Sequence, residues 1–298
     1  MTLRRRLERL RGTSAVAIGN FDGFHAGHRR IIKTLSATAR SRAVPAVALT
    51  FHPHPRVFFR HPIRLISTDR QRLEALRQQA LDRLFFIDFA TVVSRTAQDF
   101  VREVLLGSLR AGFLVVGEDF RCGRDREGDL DFLERQEAAG HFTLVRVANV
   151  VVDGRRVSSS EIRRLLGDGN VRQANRMLQH PYFIDGVVEK GLGRGRVLGF
   201  PTMNIASENQ ILPPGVFHTR ITVAAREYDS LTNIGRAPTF GGEVPGVKIE
   251  THIPGFRGTI YGQRIRLHFI DKIRQEIAFA SPGELAEQIR RDITSLGI

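Results

Sequence analysis

The stretch AVAIGNFDGFHAGH, residues 15–28, joins a short apolar run to the first turn of a helical pattern. Successive apolar residues indicate a buried strand, and the amphipathic spacing over 26–40 indicates a helix. Gly19 and Gly23 lie between the two and allow a tight turn with a close approach of the backbone. The sequence therefore predicts a buried strand followed by a helix, joined by a glycine-containing loop.

The same alternation of strand and helix continues to about residue 180. Candidate strands lie at 14–18, 44–51, 83–88, 112–117 and 142–147, and helical patterns lie near 26–40, 69–80, 96–108 and 129–138. Strands that are apolar throughout and separated by helices predict a parallel sheet covered on both faces. Residues 1–180 are thus predicted to form a doubly wound α/β domain, which ends in two short helices before Pro181.

From Phe183 onward the pattern changes to strand-like runs separated by glycine and proline. These runs lie at 183–189, 196–200, 216–225, 230–235, 247–253 and 263–271. Helical periodicity returns only at 282–295. Residues 181–298 are therefore predicted to form a small antiparallel β-barrel closed by a C-terminal helix.

Composition limits the classes of function. The formal net charge of +14 is suited to polyanions such as nucleic acids or nucleoside triphosphates, and solvated surface charge is an equally open interpretation. The absence of tryptophan and the three tyrosines argue against a dedicated nucleic-acid binder. A single cysteine, Cys122, excludes an internal disulfide and a thiolate zinc site. No apolar stretch approaches the roughly 20 residues of a membrane span, and we expect a cytoplasmic protein.

The first candidate site combines the loop with a distant, serine-rich helix start. His25 and His28 share one face of the first helical turn, where backbone N–H groups and the helix dipole favour an anion. In VSSSEIRR, residues 157–164, hydroxyls begin a helix and Arg163 lies four residues after Ser159. Donors at two helix starts are suited to a polyphosphate. Ordinary helix caps with solvated histidines and arginine are the alternative interpretation.

The second candidate site begins with KGLGRGRVLGFPTMN, residues 190–204. Its glycines free backbone amides to face an anion, and two arginines lie beside them. No Walker loop or Rossmann fingerprint is present, so a glycine-rich hairpin turn is the alternative. Thr202 and Asn204 point the same way from an extended chain and offer neutral oxygens to Mg²⁺.

A further motif, VKIETHI at 247–253, alternates apolar and polar residues as a strand with one buried face does. Glu250 therefore points away from the core. A solvated glutamate paired with Lys248 is the alternative interpretation of this residue.

These motifs together resemble a known family. GNFDGFHAGH and VSSSEIR look like the HxGH and SSTxxR signatures of nucleotidylyltransferases, and the chain more narrowly resembles the bacterial bifunctional riboflavin kinase/FAD synthetase family. TFHPHP (50–55) and GEDFRCG (117–123) are similar to two intermediate motifs of its adenylyltransferase half, and GFPTMN is similar to its kinase motif. The resemblance covers nearly the whole chain, with the motifs in the family's order.

The resemblance implies two reactions, each with ATP and Mg²⁺: riboflavin is phosphorylated to FMN, and FMN is adenylylated to FAD with release of pyrophosphate. It implies catalytic roles for Glu250, His25, His28 and Arg163, and metal binding by Thr202 and Asn204. The residues expected at ATP and its phosphates are Gly19, Asn20, Phe21, Asp22, Gly23, Ser159, Ser160, Gly191, Gly193, Arg194, Gly195 and Arg196. Those expected at the flavin are Asp119, Phe120 and His54.

Two further stretches match landmarks of the family. LPPGVF (212–217) and NIGRAPTFGG (233–242) are interpreted as turns and strand ends framing the flavin pocket. Asn233, Arg236 and Phe240 accordingly receive no catalytic part.

Three positions depart from the family pattern. The family usually carries an acidic residue at His52, an aromatic residue at Cys122 and often a basic residue at Glu161. These departures leave open a riboflavin kinase with an impaired or redirected adenylyltransferase half. The charge leaves open a flavin-responsive nucleic-acid-binding protein. The main expectation is an enzyme acting on small molecules without nucleic-acid or membrane partners, with the oligomeric state left open.

Overall fold

The computed structural model describes residues 1–191, 195, 198–223, 226–236 and 247–297. The chain divides into two compact units, Met1–Ser159 and Ser160–Ile298. The sequence predicted a boundary after residue 180, which stays a prediction. The structure divides after residue 159 because residues that follow it pack on barrel strands. Asn175 Nδ2, for example, donates to the carbonyl oxygen of Phe269 over 2.8 Å.

The first unit is built on a parallel sheet. Within the described residues its strands are β1 (Thr2–Arg4), β2 (Ser14–Ile18), β3 (Ala46–His52), β4 (Arg83–Asp88), β5 (Ala111–Gly117) and β6 (Thr143–Val147). The strand order is β1-β4-β3-β2-β5-β6, and every pairing in the sheet is parallel. The predicted doubly wound parallel α/β architecture is thereby confirmed.

Helices follow the strands on both sides of this sheet. They are α1 (Ala26–Ser41), α2 (Pro55–Phe58), α3 (Asp69–Arg77), α4 (Ala97–Asp99), which continues as a π-helix over Phe100–Ser108, and α5 (Leu130–Ala138). A small hairpin of β7 (Val151–Val152) and β8 (Arg155–Arg156) precedes the end of the unit. The sequence missed α2, because Pro53 and Pro55 indicated a rigid turn at this point.

The two faces of the sheet bury separate apolar clusters. In β4, Phe85 and Ile87 pack into one cluster, whereas Leu84 and Phe86 pack into the other. Because successive side chains of a strand point to opposite faces, a strand covered on both sides has no polar alternation. This explains why the apolar runs of the first half predict its strands well.

The second unit contains the barrel. Its helices are α6 (Ser159–Gly167), α7 (Val171–Leu178) and α8 (Pro282–Leu296), of which α6 begins on the last residue of the first unit. Its described strands are β9 (Tyr182–Glu189), β10 (Thr202–Ser207), β11 (Gly215–Val223), β12 (Arg226–Arg236), β13 (Val247–His252) and β14 (Arg264–Arg274). They close in the order β10-β13-β12-β11-β14-β9, with every pairing antiparallel. The predicted barrel and C-terminal helix are confirmed.

The strand predicted at 196–200 is wrong for its described part. Leu198 and Gly199 form a turn, with Gly199 at φ +82°, and the Phe200 N–H donates to the carbonyl oxygen of Gly195 over 2.8 Å. The strand begins instead at Thr202, directly after Pro201, which has no N–H to donate.

The barrel interior contains a row of hydroxyl groups among its apolar side chains. Thr219 Oγ1 lies 2.6 Å from Thr232 Oγ1, and Thr232 Oγ1 lies 2.9 Å from Thr251 Oγ1. All three residues have no exposed surface. Each hydroxyl gives its neighbour the hydrogen-bond partner that a buried polar group needs, so the row links β11, β12 and β13 inside the barrel.

Replacing Thr232 with valine is expected to destabilise the barrel by about 1–3 kcal/mol, because the hydroxyls of Thr219 and Thr251 lose a buried partner while the side-chain shape is kept. The free energy of opening can be measured by amide hydrogen exchange of β12 and β13 in the intact chain. Thr222→Val, in the same strand as Thr219 but partly exposed, is the matched control. Equal exchange in both variants would contradict a stabilising hydroxyl row.

Candidate active sites

The loop after β2 is held by the carboxylate of Asp22. This side chain is 2% exposed and accepts hydrogen bonds from the backbone N–H of Ile66 at 3.2 Å and of Ser67 at 3.0 Å. The Ser67 hydroxyl donates to the same carboxylate over 3.1 Å and accepts from the Gly23 N–H over 3.0 Å. Through these contacts Asp22 orients the loop. The predicted contact of Asp22 with ATP stays a prediction.

Two other residues of the loop are fixed by packing. Gly23 has φ +76°, and a Cβ there would lie 2.9 Å from Ile66 Cγ2, so only glycine fits. Phe21 is fully buried, and its ring lies 3.0 Å from the position of a Cβ on Gly19. The N–H groups of Gly19 and Gly23 donate within the protein, to the Leu49 carbonyl oxygen and the Ser67 hydroxyl, and the predicted contacts of Gly19, Phe21 and Gly23 with ATP stay predictions.

The two histidines lie at the start of α1. His25 is the N-cap residue, and its Nδ1 accepts from the His28 N–H over 3.4 Å. Because Nδ1 accepts, a neutral His25 ring carries its proton on Nε2. The two rings stack with centroids 3.6 Å apart, and Phe21 packs edge-on against His28 at 5.4 Å. The structure thus brings both imidazoles together at the positive end of a 16-residue helix.

The serine motif reaches the same loop through Ser159. The Ser159 hydroxyl donates to the carbonyl oxygen of Asp22 over 3.1 Å, and α6 begins at this residue. Ser160 and Arg163 belong to the second compact unit, and their predicted contacts with the triphosphate stay predictions.

The departure at Glu161 is compensated within its own helix. Arg164 donates to Glu161 through Nε at 2.9 Å and through Nη2 at 2.7 Å. This hydrogen bonding and the carboxylate charge raise the pKa of Arg164. The negative charge of Glu161 is thus paired with a cation one helical turn away.

Sequence reasoning missed Arg72, which connects the loop after β2 with the end of β3. Its side chain is 3% exposed and donates to the carbonyl oxygens of Asn20 and Phe51, each at 2.9 Å. Asp69 pairs with Arg72 at 2.5 Å and also with His52. Burial lowers the pKa of Arg72, and the charge of Asp69 opposes that shift. The buried guanidinium therefore fixes the backbone at two of the predicted motifs.

Within TFHPHP, His54 forms a helix cap. It is 6% exposed, and its Nδ1 accepts from the Arg56 N–H over 3.2 Å at the start of α2. Its predicted contact with the flavin stays a prediction.

An aromatic group that the sequence analysis missed lies beside this motif. Phe58 and Phe59 each pack edge-on against Phe89, with ring centroids 5.3 and 5.9 Å apart, and Phe51 packs against Phe89 at 5.5 Å. Phe58 remains 37% exposed and Phe59 55% exposed. The signal was VFF at 57–59, three apolar residues between charged neighbours and outside any predicted element.

The loop after β5 carries the other residues expected at the flavin. Asp119 pairs with Arg156 at 2.9 Å, and Phe120 packs against the apolar core. Cys122 is buried in that core, and burial, together with the charges of Glu127 and Asp129, raises the pKa of its thiol to about 12. Its thiol therefore belongs to the packing of the unit, while the flavin contacts of Asp119 and Phe120 stay predictions.

The second site lies on the barrel. In the strand register Glu250 of β13 is directly opposite Asn204 of β10 on one side and Asn233 of β12 on the other. Directly paired residues carry their side chains on the same face with Cβ atoms about 5 Å apart. The predicted Asn204 and Glu250 are thus brought together, and Asn233 is a third member, which the sequence analysis placed in a segment framing the flavin pocket without a catalytic part.

The glycines before β10 give room to its polar residues. A Cβ on Gly191 would lie 2.2 Å from Asn204 Nδ2, and one on Gly195 would lie 3.0 Å from Thr202 Oγ1. Gly193, Arg194 and Arg196 lie outside the described residues, and their predicted contact with ATP stays a prediction.

A magnesium ion fits the oxygens on β10. Asn204 Oδ1 is buried and has no hydrogen-bond partner among the described residues, so it is an acceptor that lacks a donor or cation. Thr202, two residues earlier in the strand, adds a neutral oxygen on the same side. In the part of the chain that the structure describes, no cluster of three histidine, cysteine or carboxylate side chains could hold a metal instead.

The fold and the comparisons with known proteins together define a transferase of two parts: a parallel α/β unit with imidazoles at a helix start, and a barrel with amide oxygens beside a carboxylate. Two family models match the chain: FAD synthetase over residues 8–161 and riboflavin kinase over residues 178–296. Among the residues that the structure places, no helix is both long and apolar enough to cross a lipid bilayer.

Comparison with known proteins indicates the same two activities as the family models. The bifunctional riboflavin kinase/FMN adenylyltransferase of Escherichia coli K12 is 35% identical over 93% of this chain and 90% of its own length. The protein of that name from Bacillus subtilis is 33% identical over 94% of this chain and 90% of its own length. The chain belongs to the family of bifunctional riboflavin kinase/FMN adenylyltransferases.

One solved structure is similar over the whole chain. A crystal structure described as a macrolide-efflux protein from Streptococcus pneumoniae is 26% identical, with a TM-score of 0.88, and the match covers 99% of this chain and 98% of that one. The whole two-unit architecture therefore recurs in a solved protein.

Because the thiol of Cys122 is buried and its pKa is raised to about 12, its reaction with iodoacetamide at pH 8 is expected to be on the order of a thousandfold slower than that of an unfolded-chain thiol. Mass spectrometry of the alkylated chain measures the rate, and the same chain in guanidinium chloride is the control. The sequence has one cysteine, so the label is unambiguous. Equal rates in the folded and unfolded chains would contradict the buried placement.

Proposed function

We propose that this chain converts riboflavin to FMN in its second unit and FMN to FAD in its first unit, with one ATP consumed in each reaction. The observation that carries the proposal is that an FAD synthetase match and a riboflavin kinase match occupy successive parts of one chain. Relatives named for both activities match along more than nine-tenths of it.

In the kinase reaction, Glu250 accepts the proton of the terminal hydroxyl of the riboflavin side chain. The hydroxyl oxygen bonds to the γ-phosphorus of ATP as the bond to the β-phosphate oxygen breaks, and ADP leaves. Thr202 and Asn204 would hold Mg²⁺, which would neutralise charge on the phosphate oxygens. Proton acceptance by a positioned base contributes about 10²- to 10⁴-fold, and positioning supplies the remainder.

In the adenylyltransferase reaction, the phosphate of FMN attacks the α-phosphorus of ATP and pyrophosphate leaves. No protein nucleophile is needed, because FMN supplies the attacking oxygen. His25 and His28 donate hydrogen bonds to the phosphate oxygens, and the start of α1 adds backbone N–H groups and its dipole. The Ser159 hydroxyl donates to the Asp22 carbonyl oxygen and so helps to hold the loop that leads into α1.

The exposed aromatic group supports the placement of the flavin. Phe58 and Phe59 present ring surface beside TFHPHP, and planar ring systems bind against aromatic side chains. The alternatives, a kinase with an impaired transferase half and a flavin-responsive nucleic-acid binder, are not favoured by the comparisons. Cys122 and Glu161 also do not argue for impairment, since one side chain is buried and the other is paired.

Glu250→Gln is expected to lower the rate of FMN formation by about 10²- to 10⁴-fold, because the amide cannot take the hydroxyl proton. Conversion of added FMN to FAD should be unchanged. The measurement is chromatographic separation of flavins after incubation of riboflavin or FMN with ATP and Mg²⁺. Glu208→Gln, an exposed glutamate of the same unit, is the matched control. Parallel loss of both activities would contradict separate sites.

His28→Ala is expected to produce the reverse result, with FAD formation from FMN lowered by about 10²- to 10³-fold and riboflavin phosphorylation unchanged. The cause is the loss of a donor to the phosphates at the start of α1. His141→Ala, an exposed histidine of the same unit, serves for comparison. Unchanged FAD synthesis in His28→Ala would remove this residue from the site.

A further inference from the structure

The row of Asn204, Glu250 and Asn233 contains hydrogen-bond acceptors that the protein does not satisfy. The Oδ1 atoms of both asparagines are buried and lack a partner among the described residues, and they flank the carboxylate of Glu250. A buried acceptor without a donor is destabilising, so a native site of this kind calls for a ligand that satisfies it. The ligand of this row must therefore bring donors or a cation.

The orientation of the Asn233 amide is fixed by Glu276. Asn233 Nδ2 donates to Glu276 Oε1 over 3.4 Å, and a carboxylate can only accept. Glu276 in turn fills the place where a side chain on residue 235 would lie, since a Cβ on Gly235 would be 1.8 Å from Glu276 Oε1. With its NH₂ group turned toward Glu276, Asn233 keeps its carbonyl oxygen for another partner.

One metal ion cannot satisfy both asparagines. Asn204 and Asn233 are two strands apart, or about 10 Å between backbones at about 4.8 Å per strand. Ile249 and Thr251 are buried, so the row faces outward from a closed barrel, where neighbouring side chains diverge. Oxygens bound to one Mg²⁺ are at most about 4.2 Å apart. Asn204 and Thr202 together offer oxygens to one metal ion, so Asn233 needs a different ligand.

We infer that Asn233 binds the polyol chain of the flavin: its Oδ1 accepts a hydrogen bond from a hydroxyl other than the one that is phosphorylated. The triphosphate carries acceptors only and cannot satisfy this oxygen, whereas the polyol chain brings several hydroxyl donors. Asn233 would thus hold the chain so that its terminal hydroxyl meets Glu250, one strand away. The inference rests on the proposed riboflavin kinase function and makes Asn233 a substrate-positioning residue.

The test is the kinetics of Asn233→Ala in the full chain. The apparent KM for riboflavin is expected to rise about tenfold to a hundredfold, while the KM for ATP changes less than twofold and FMN-to-FAD conversion is unchanged. Riboflavin analogues that lack one side-chain hydroxyl identify the contact. With the unmodified enzyme, the KM for one analogue should exceed the KM for riboflavin by the same factor as Asn233→Ala raises the KM for riboflavin. Asn233→Ala should not raise the KM for that analogue further. Gln275→Ala, an exposed neighbour of Glu276, is the control.

Several outcomes would overturn the inference. A rise in the KM for ATP alone would place Asn233 at the nucleotide. If Asn233→Ala raised the KM for every analogue by the same factor as for riboflavin, Asn233 would not contact the polyol. If Asn233→Ala folds poorly, riboflavin affinity measured by flavin fluorescence on the folded fraction of Asn233→Ser gives the same comparison. If the unmodified chain forms FMN but no variant changes the KM for riboflavin, only this inference fails. Absence of FMN formation in the unmodified chain contradicts the proposed function itself.

Discussion

The buried carboxylate of Asp22 is the constraint on which the first site depends. The carboxylate accepts from two backbone N–H groups and one hydroxyl of the segment before α3. The backbone carbonyl oxygen of Asp22 accepts from the Ser159 hydroxyl. A carboxylate with 2% exposure needs this many donors to remain buried, and the donors need the carboxylate as their acceptor. One residue thus joins three stretches that are far apart in sequence, and the start of α1 takes its position from this junction.

Strand register performs the corresponding task in the barrel. Asn204, Glu250 and Asn233 come from three strands, yet a fixed register sets them in one row because paired residues of antiparallel strands share a face. A slip of one residue would turn Glu250 inward, where Thr251 and Thr232 now share their hydroxyl contact. The buried hydroxyl row inside the barrel and the acceptor row outside it therefore specify the same register.

Local patterns predicted most of the fold and only part of the sites. Runs without polar alternation indicated the parallel strands, and glycine with proline marked the barrel turns. The strand Thr2–Arg4 was missed because it has only three residues, one of them apolar, so its pairing with β4 is what defines it. Arg72 was missed for another reason. Arg72 lies in a helix rich in charge, and its burial against Asn20 and Phe51 arises from tertiary packing alone.

The two sites hold chemically opposite sets of groups. At the start of α1 the protein presents donors, the imidazoles and the N–H groups of a helix end, which are suited to bind phosphate oxygens. On the barrel it presents acceptors, two amide oxygens beside a carboxylate. Acceptors beside a carboxylate repel a bare phosphate, and they are suited to cations and to hydroxyl or N–H donors. The two units therefore differ in hydrogen-bonding character: donors gather at the start of α1, and acceptors gather on the barrel.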